Sequence, residues 1–156
     1  MDNQYRVPSV ELNKTFNHTI SNFVFGNLSE DVCKEIWKDG RPFSHFIEEW
    51  ICENYPLIHV KGCKQYDFVD SKNKEILYDE KTFTERGCHF CPSNMLGQGR
   101  IFDQATFEEK AKKLVFCIVS NIDFPNIKIR FEKGEDLIKK YPTGKIPLNK
   151  FVEFFD

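Results

Sequence analysis

Apolar residues recur at three- and four-residue steps through FSHFIEEWICENY, where Phe43, Phe46, Ile47, Trp50 and Ile51 fall on one stripe and Glu48, Glu49 and Glu53 on other faces. The pattern predicts a helix that turns an aromatic face to a core and ends at Pro56. Upstream, Ser29 stands at an N-cap position with Glu30 and Asp31 in the first turn, and VCKEIWKDG continues as a short amphipathic helix closing on a glycine. Pro42 and Ser44 restart the chain between the two. The period then changes. LIHV is a short apolar run, and YDFVD and EILYDEKTF read as two strands joined by the turn material SKNK. In the second of these strands Leu77, Asp79, Lys81 and Phe83 share one face, and Tyr78, Glu80 and Thr82 the other.

The stretch ERGCHFCPSNMLGQGR, residues 85–100, is rich in Gly, Pro, Ser and Asn and is expected to be an irregular loop. Loops of that length in a compact domain tend to carry function. DQATFEEKAKKLVF starts a helix at a capping Asp103 and passes into the β-branched run LVFCIVS. NIDFPNIKIRF reads as a strand interrupted by a turn at Pro125, EDLIKKYP as a short helix stopped by Pro142, and GKIPLNKFVEFF as a further strand or helix. Before Gly26, VELNKTFNHTISNFVF is expected to form a helix or an arm. This order predicts an α/β (α+β) domain built on one mixed β-sheet flanked by helices.

A chain of 156 residues is the length of one domain, so residues 1–156 are expected to fold as a unit, with 1–25 as an N-terminal arm or dimerisation segment. Sixteen phenylalanines imply an aromatic core. The net charge of −2 announces no global field for nucleic acid, although a cleft needs only a local basic wall. No apolar run approaches the roughly 20 residues of a membrane span, and MDNQYRVPSV lacks the basic start and apolar middle of a signal peptide. The expected location is therefore cytoplasmic, with no membrane contact. There the six cysteines are expected as reduced, largely buried thiols, as the apolar surroundings of Cys52 and Cys117 suggest. Cys88 and Cys91 form a CxxC that no second pair completes into a structural zinc site.

The chemistry concentrates in the hairpin. If its strands close on each other, Asp67 and Asp79 can hold a hard divalent cation such as Mg²⁺, with positions left open for water and phosphate. Lys81, on the same face as Asp79, can orient or help deprotonate an attacking water and compensate an anionic transition state. A further acid from the preceding helix would complete the set, and Glu49 is the expected one, with Glu48 and Glu53 as alternatives. These are the requirements of metal-dependent phosphodiester hydrolysis. An ordinary solvated hairpin is the competing reading, because exposed strand faces readily carry Asp and Lys.

The arrangement resembles the PD-(D/E)xK nuclease superfamily, with Asp67 as the first acid, Asp79 at the D/E position and Lys81 as the lysine; Tyr66 stands where the nominal proline would be. From Phe43 to Phe151 the order of elements is similar to that of small type II restriction endonucleases, PvuII-like in the KIP of GKIPLNKF near the C-terminus. The resemblance implies a restriction-endonuclease-like fold and a homodimer that uses Mg²⁺ to cut both strands of double-stranded DNA at a short site. It gives the 85–100 loop a DNA-binding role through His89, Ser93, Asn94, Gln98 and Arg100, since Arg suits guanine and Asn or Gln suits adenine in the major groove. Lys145 and Asn149 are further DNA contacts on this reading. Lys110, Lys112 and Lys113 are the solvated face of a helix and can also meet backbone phosphates. The alternatives are a repair, nicking or junction nuclease of the same fold, and a non-catalytic nucleic-acid- or protein-binding module.

Overall fold

The structure is a computed structural model that describes residues 5–22, 25–63, 65–96 and 99–156. Among these the chain forms, in order, β1 (Thr15–Thr19), α1 (Glu30–Lys38), α2 (Gly40–Asn54), β2 (Leu57–His59), β3 (Phe68–Asp70), β4 (Leu77–Phe83), β5 (Cys88–His89), α3 (Gln104–Ala111), β6 (Leu114–Ser120), β7 (Asn126–Lys133), α4 (Gly134–Lys140), β8 (Lys145–Ile146) and α5 (Phe151–Phe155). Six strands make one mixed sheet in the order β1-β7-β6-β4-β3-β2, and β5 and β8 make a separate two-stranded ribbon. Only β4 and β6 run parallel, with Leu77 beside Leu114 and Lys81 beside Ile118; the other neighbours are antiparallel. That parallel step requires a crossover, and α3 supplies its last part.

The expected mixed sheet with helices on it is therefore present. On one face α2 buries Phe43, Ile47 and Ile51 against Tyr78, Cys117, Val119 and Phe131 of the central strands. On the other face Phe83, Phe116 and Ile118 meet Phe107 of α3, Leu137 of α4 and Phe154 and Phe155 of α5. The alternation along β4 and β6 decides which side chain joins which layer.

Local chemistry sets the ends of the helices. The Ser29 hydroxyl caps α1 by accepting from the Val32 N–H at 3.2 Å, as its position in the sequence predicts. Asp39 both ends α1 and caps α2, accepting from the Arg41 N–H at 3.0 Å. Gly40 thus opens α2 rather than closing α1, and Pro42 lies in the first turn, where a missing N–H is tolerated.

Two expectations from periodicity are corrected. The segment from Val10 onward is neither helix nor free arm: residues 15–19 form β1, which pairs with β7 from Thr15 opposite Arg130 to Thr19 opposite Asn126. The 85–100 stretch is not irregular throughout. A turn closes with reciprocal Thr84 and Gly87 backbone bonds of 3.1 and 2.9 Å, β5 pairs with β8, and Cys88, Phe90, Cys91 and Met95 are buried in the second core. Gly87 has φ +88°, and a Cβ there would lie 2.6 Å from the Ile146 carbonyl oxygen, so only glycine fits this corner. No helix among the described residues is long and apolar enough to cross a membrane.

Candidate active site

The site forms where β3 parts from β4. Asp67 is pinned on both sides of its backbone, its N–H donating to the Tyr78 carbonyl at 2.9 Å and its carbonyl accepting from the Val60 N–H at 2.8 Å. Phe68 is also set opposite Tyr78, so two residues face one, the arrangement of a β-bulge. Beyond it the Asp67 side chain takes over the role of a neighbouring strand: its Oδ2 accepts from the Glu80 N–H at 2.8 Å. Because a residue's N–H and C=O leave a strand on the same side, the Glu80 carbonyl also opens toward this split.

Parity then brings the predicted side chains together. Asp79 and Lys81 lie on one face of β4, with the Lys81 Nζ 3.2 Å from the Asp79 Oδ2. The Asp67 and Asp79 carboxyls are near enough that each acts on the other's titration. Burial raises Asp79 to about 6, and the neighbouring Asp67 carboxylate adds to the rise against the opposing Lys81 ammonium. Asp67 is also raised, first by burial and then by the Glu48 charge, although the Glu80 N–H works the other way. Burial acts against the Lys81 ammonium, but Asp79, Glu80 and Asp67 outweigh it and hold its pKa above the ordinary lysine value. Lys81 is a fixed cation here and not a base.

Of the acids on α2, it is Glu48 rather than the expected Glu49 that lies within electrostatic reach of Asp79. Ile47 and Ile51 of α2 point into the core, so Glu48, one residue on, stays near the sheet while Glu49 turns outward; their side chains are 21% and 58% exposed. Glu49 pairs with the His59 Nδ1 at 3.2 Å and with Lys61 at 3.5 Å. Glu48 lies 3.5 Å from the His59 Nε2, and its own carboxyl is raised chiefly by burial, with Asp79 among the charges that add to it. Glu48→Gln is expected to lower the midpoint at which Asp67 titrates in carboxyl-carbon NMR, whereas Glu49→Gln leaves it in place.

Glu80 was assigned to the opposite face by parity, and it lies there, buried, accepting from the Thr82 hydroxyl at 3.0 Å. Burial and the Glu48 charge push its pKa well above the ordinary value. The Asp67 charge adds to that rise. Sequence reasoning gave this residue no part.

Asp79 and Lys81 look into a cleft of about 310 Å³, lined also by Gln65, Asn94 and Lys110 above a floor that includes Phe90 and Phe116. Of the predicted DNA contacts, Asn94 is therefore beside the acids. His89 and Lys145 are direct cross-strand partners on the β5–β8 ribbon and both are exposed. Arg100 and Asn149 are exposed too, the latter in a single 3-10 turn, Leu148–Lys150. Ser93 begins the 3-10 turn Ser93–Met95, and Gln98 lies outside the described residues.

Compared with models of protein families, with curated proteins and with solved structures, the chain matches none. The site is accordingly read from its own chemistry. Among the described residues no three His, Cys, Asp or Glu side chains are grouped closely enough to enclose an ion. What stands at the open cleft is the Asp79 carboxylate, with the Asp67 carboxylate as its neighbour. That donor set suits Mg²⁺, which keeps several waters and takes only one or two carboxylates. Two desolvated acids, each raised first by burial, are also groups whose charge a bound cation would offset.

Proposed function

We propose that the chain is a Mg²⁺-dependent endonuclease of the PD-(D/E)xK kind, with a restriction-endonuclease-like fold, that hydrolyses phosphodiester bonds in double-stranded DNA at a specific site. The observation that carries this reading is the desolvated Asp79 beside Asp67, with the Lys81 ammonium 3.2 Å from Asp79, at the edge of a cleft. A solvated hairpin would not desolvate three charged groups together. Asp67 and Asp79 would hold the ion. When bound, Mg²⁺ supplies charge neutralisation at the phosphoryl oxygens and acidifies an attacking water.

The protein's own groups do the rest. Lys81 stays protonated and faces the charge that grows on the phosphorus oxygens, a contribution of roughly 10²- to 10³-fold for one well-placed donor. The Glu80 N–H fixes the Asp67 carboxylate, so that acid is oriented before substrate arrives. The β5–β8 ribbon, carrying His89 and Lys145, has the shape that a major groove admits, and Arg100, Asn94 and Asn149 extend the polar surface. A homodimer would put two such sites on the two strands of one duplex.

The test is incubation of plasmid with the purified protein and Mg²⁺, or with EDTA in its place. Discrete fragments with Mg²⁺ alone, and a loss of about 10²-fold in Lys81→Met, are the expected results. Nicked circles or a preference for branched DNA would move the assignment to a nicking or junction nuclease. Intact plasmid with every divalent ion tried would end the catalytic reading.

A further inference from the structure

The cleft at Asp79 does not stop at the acids. A second depression of about 250 Å³ adjoins it, lined by Tyr66, Thr106, Glu109 and Lys113, and the two share Gln65, Lys110 and Leu114. Together they form one groove that starts at Asp79 and Lys81 and follows α3. The topology explains the juxtaposition: α3 runs directly into β6, whose first residue, Leu114, pairs with Leu77 at the start of β4. The last turn of α3 therefore lies beside the strand that carries the site.

The cations there, Lys110 in the last turn of α3 and Lys112 and Lys113 in the turn that follows the helix rather than on its expected solvated face, are unequal. Lys110 has no ion-pair partner among the described residues and belongs to both depressions. Lys113 lines the second one and lies 4.0 Å from Glu109, an exposed contact too long and too hydrated to hold it. Lys112 is equally exposed but lines neither depression. An unpaired ammonium opposite an acid-held cation, with an amide and a hydroxyl along the same wall, is suited to a chain of regularly spaced anions.

We infer that this groove is the track of the scissile DNA strand, in which Lys110 and Lys113 hold backbone phosphates flanking the bond at Asp79. The inference rests on the nuclease reading and adds to it the direction in which the strand leaves the site. Lys110 and Lys113 are positioning residues: they fix the register of the phosphodiester over the acids and carry no sequence information.

Lys110→Gln, Lys113→Gln and Lys112→Gln remove one charge each, and at Lys110, the one within α3, the change keeps helix propensity. Binding is measured with a short random-sequence duplex across a salt series, in an Asp79→Asn background so that the probe survives, while cleavage is measured in the parent background. For each of Lys110 and Lys113 the slope of log K against log salt is expected to fall by about 0.9, and for both together by about 1.8. Lys112→Gln is expected to keep the slope, and all three to keep the melting temperature. If the parent cuts plasmid with Mg²⁺ but Lys110→Gln and Lys113→Gln keep the full slope, the track is overturned and the nuclease reading stands. If the protein neither binds the duplex nor cuts plasmid, both are overturned.

Discussion

Asp79→Asn is expected to cut plasmid about 10³-fold more slowly than the parent, because several kcal/mol of charge stabilisation go with the ligand. The same substitution should raise the melting temperature of the metal-free protein above neutral pH. The folded-state pKa of Asp79, about 6, lies above its ordinary value of 3.8, so the native protein holds this proton more tightly than the unfolded chain does. That advantage is complete below the ordinary value and disappears as pH rises through about 6, a difference of about 3 kcal/mol for a shift of this size. Asn never ionises and escapes the loss. Part of the gain is cancelled, because Lys81 loses its partner at 3.2 Å. The expected net is about 1–2 kcal/mol, or roughly 5 °C in a chain of this length, seen above the folded pKa and fading below the ordinary one. Mg²⁺ should reverse the order, stabilising the parent increasingly as pH passes about 6 and leaving Asp79→Asn unmoved. Calorimetry across pH, with and without Mg²⁺, reads all three effects. A variant that melts below the parent at every pH, or that cuts as fast, would contradict the assignment of Asp79 as a strained, proton-holding ligand.

The Asp79–Lys81 pair on β4 was legible because strand parity is a local rule: the two, two residues apart, share a face in any β4 that forms, and Glu80 does not. The two central helices were legible for the same reason, with Ser29 and Asp103 at caps where the sequence puts them. Asp67 was identified without its cause. The bulge opposite Tyr78, which turns its carboxylate to the Glu80 N–H, depends on how β3 meets β4 and leaves no mark in composition. The sequence does not separate Glu49 from Glu48 and Glu53, because the stripe of α2 spans Phe46 and Trp50 as well as Phe43, Ile47 and Ile51, and only the last three are fully buried. The rotation of the helix follows from that choice. β1 and the β5–β8 ribbon escaped because each pairs with a segment far away in sequence, Thr15 with Arg130 and His89 with Lys145. The groove along α3 escaped for a related reason: no helical pattern tells that the end of α3 will lie beside β4, which depends on the pairing of β6 with β4, or that Lys112 and Lys113 fall after the helix.

Gly134→Ala tests whether that wall is built as a unit. Gly134 opens α4 hard against the corner where α3 passes into β6: a Cβ there would lie 1.9 Å from the Ala111 carbonyl oxygen and 2.7 Å from its carbon. Both atoms are backbone, so no side-chain rotation relieves the contact. Either α4 backs away from Phe116 and Ile118 or the corner moves. Overpacking of this kind costs about 3 kcal/mol, and the melting temperature is expected to fall by about 10 °C. The corner lies immediately after Lys110 and next to Lys113, so a protein that remains folded should also bind duplex with a smaller salt slope. A substitution in the opposite layer separates the two effects. Ile129 is buried under α2 on the far side of the sheet, and Ile129→Val should cost about 1 kcal/mol with the salt slope intact. Gly134→Ala with an unchanged melting temperature would mean that α4 is not wedged against α3. An unchanged slope in a destabilised protein would mean that the phosphate-holding lysines do not depend on this corner.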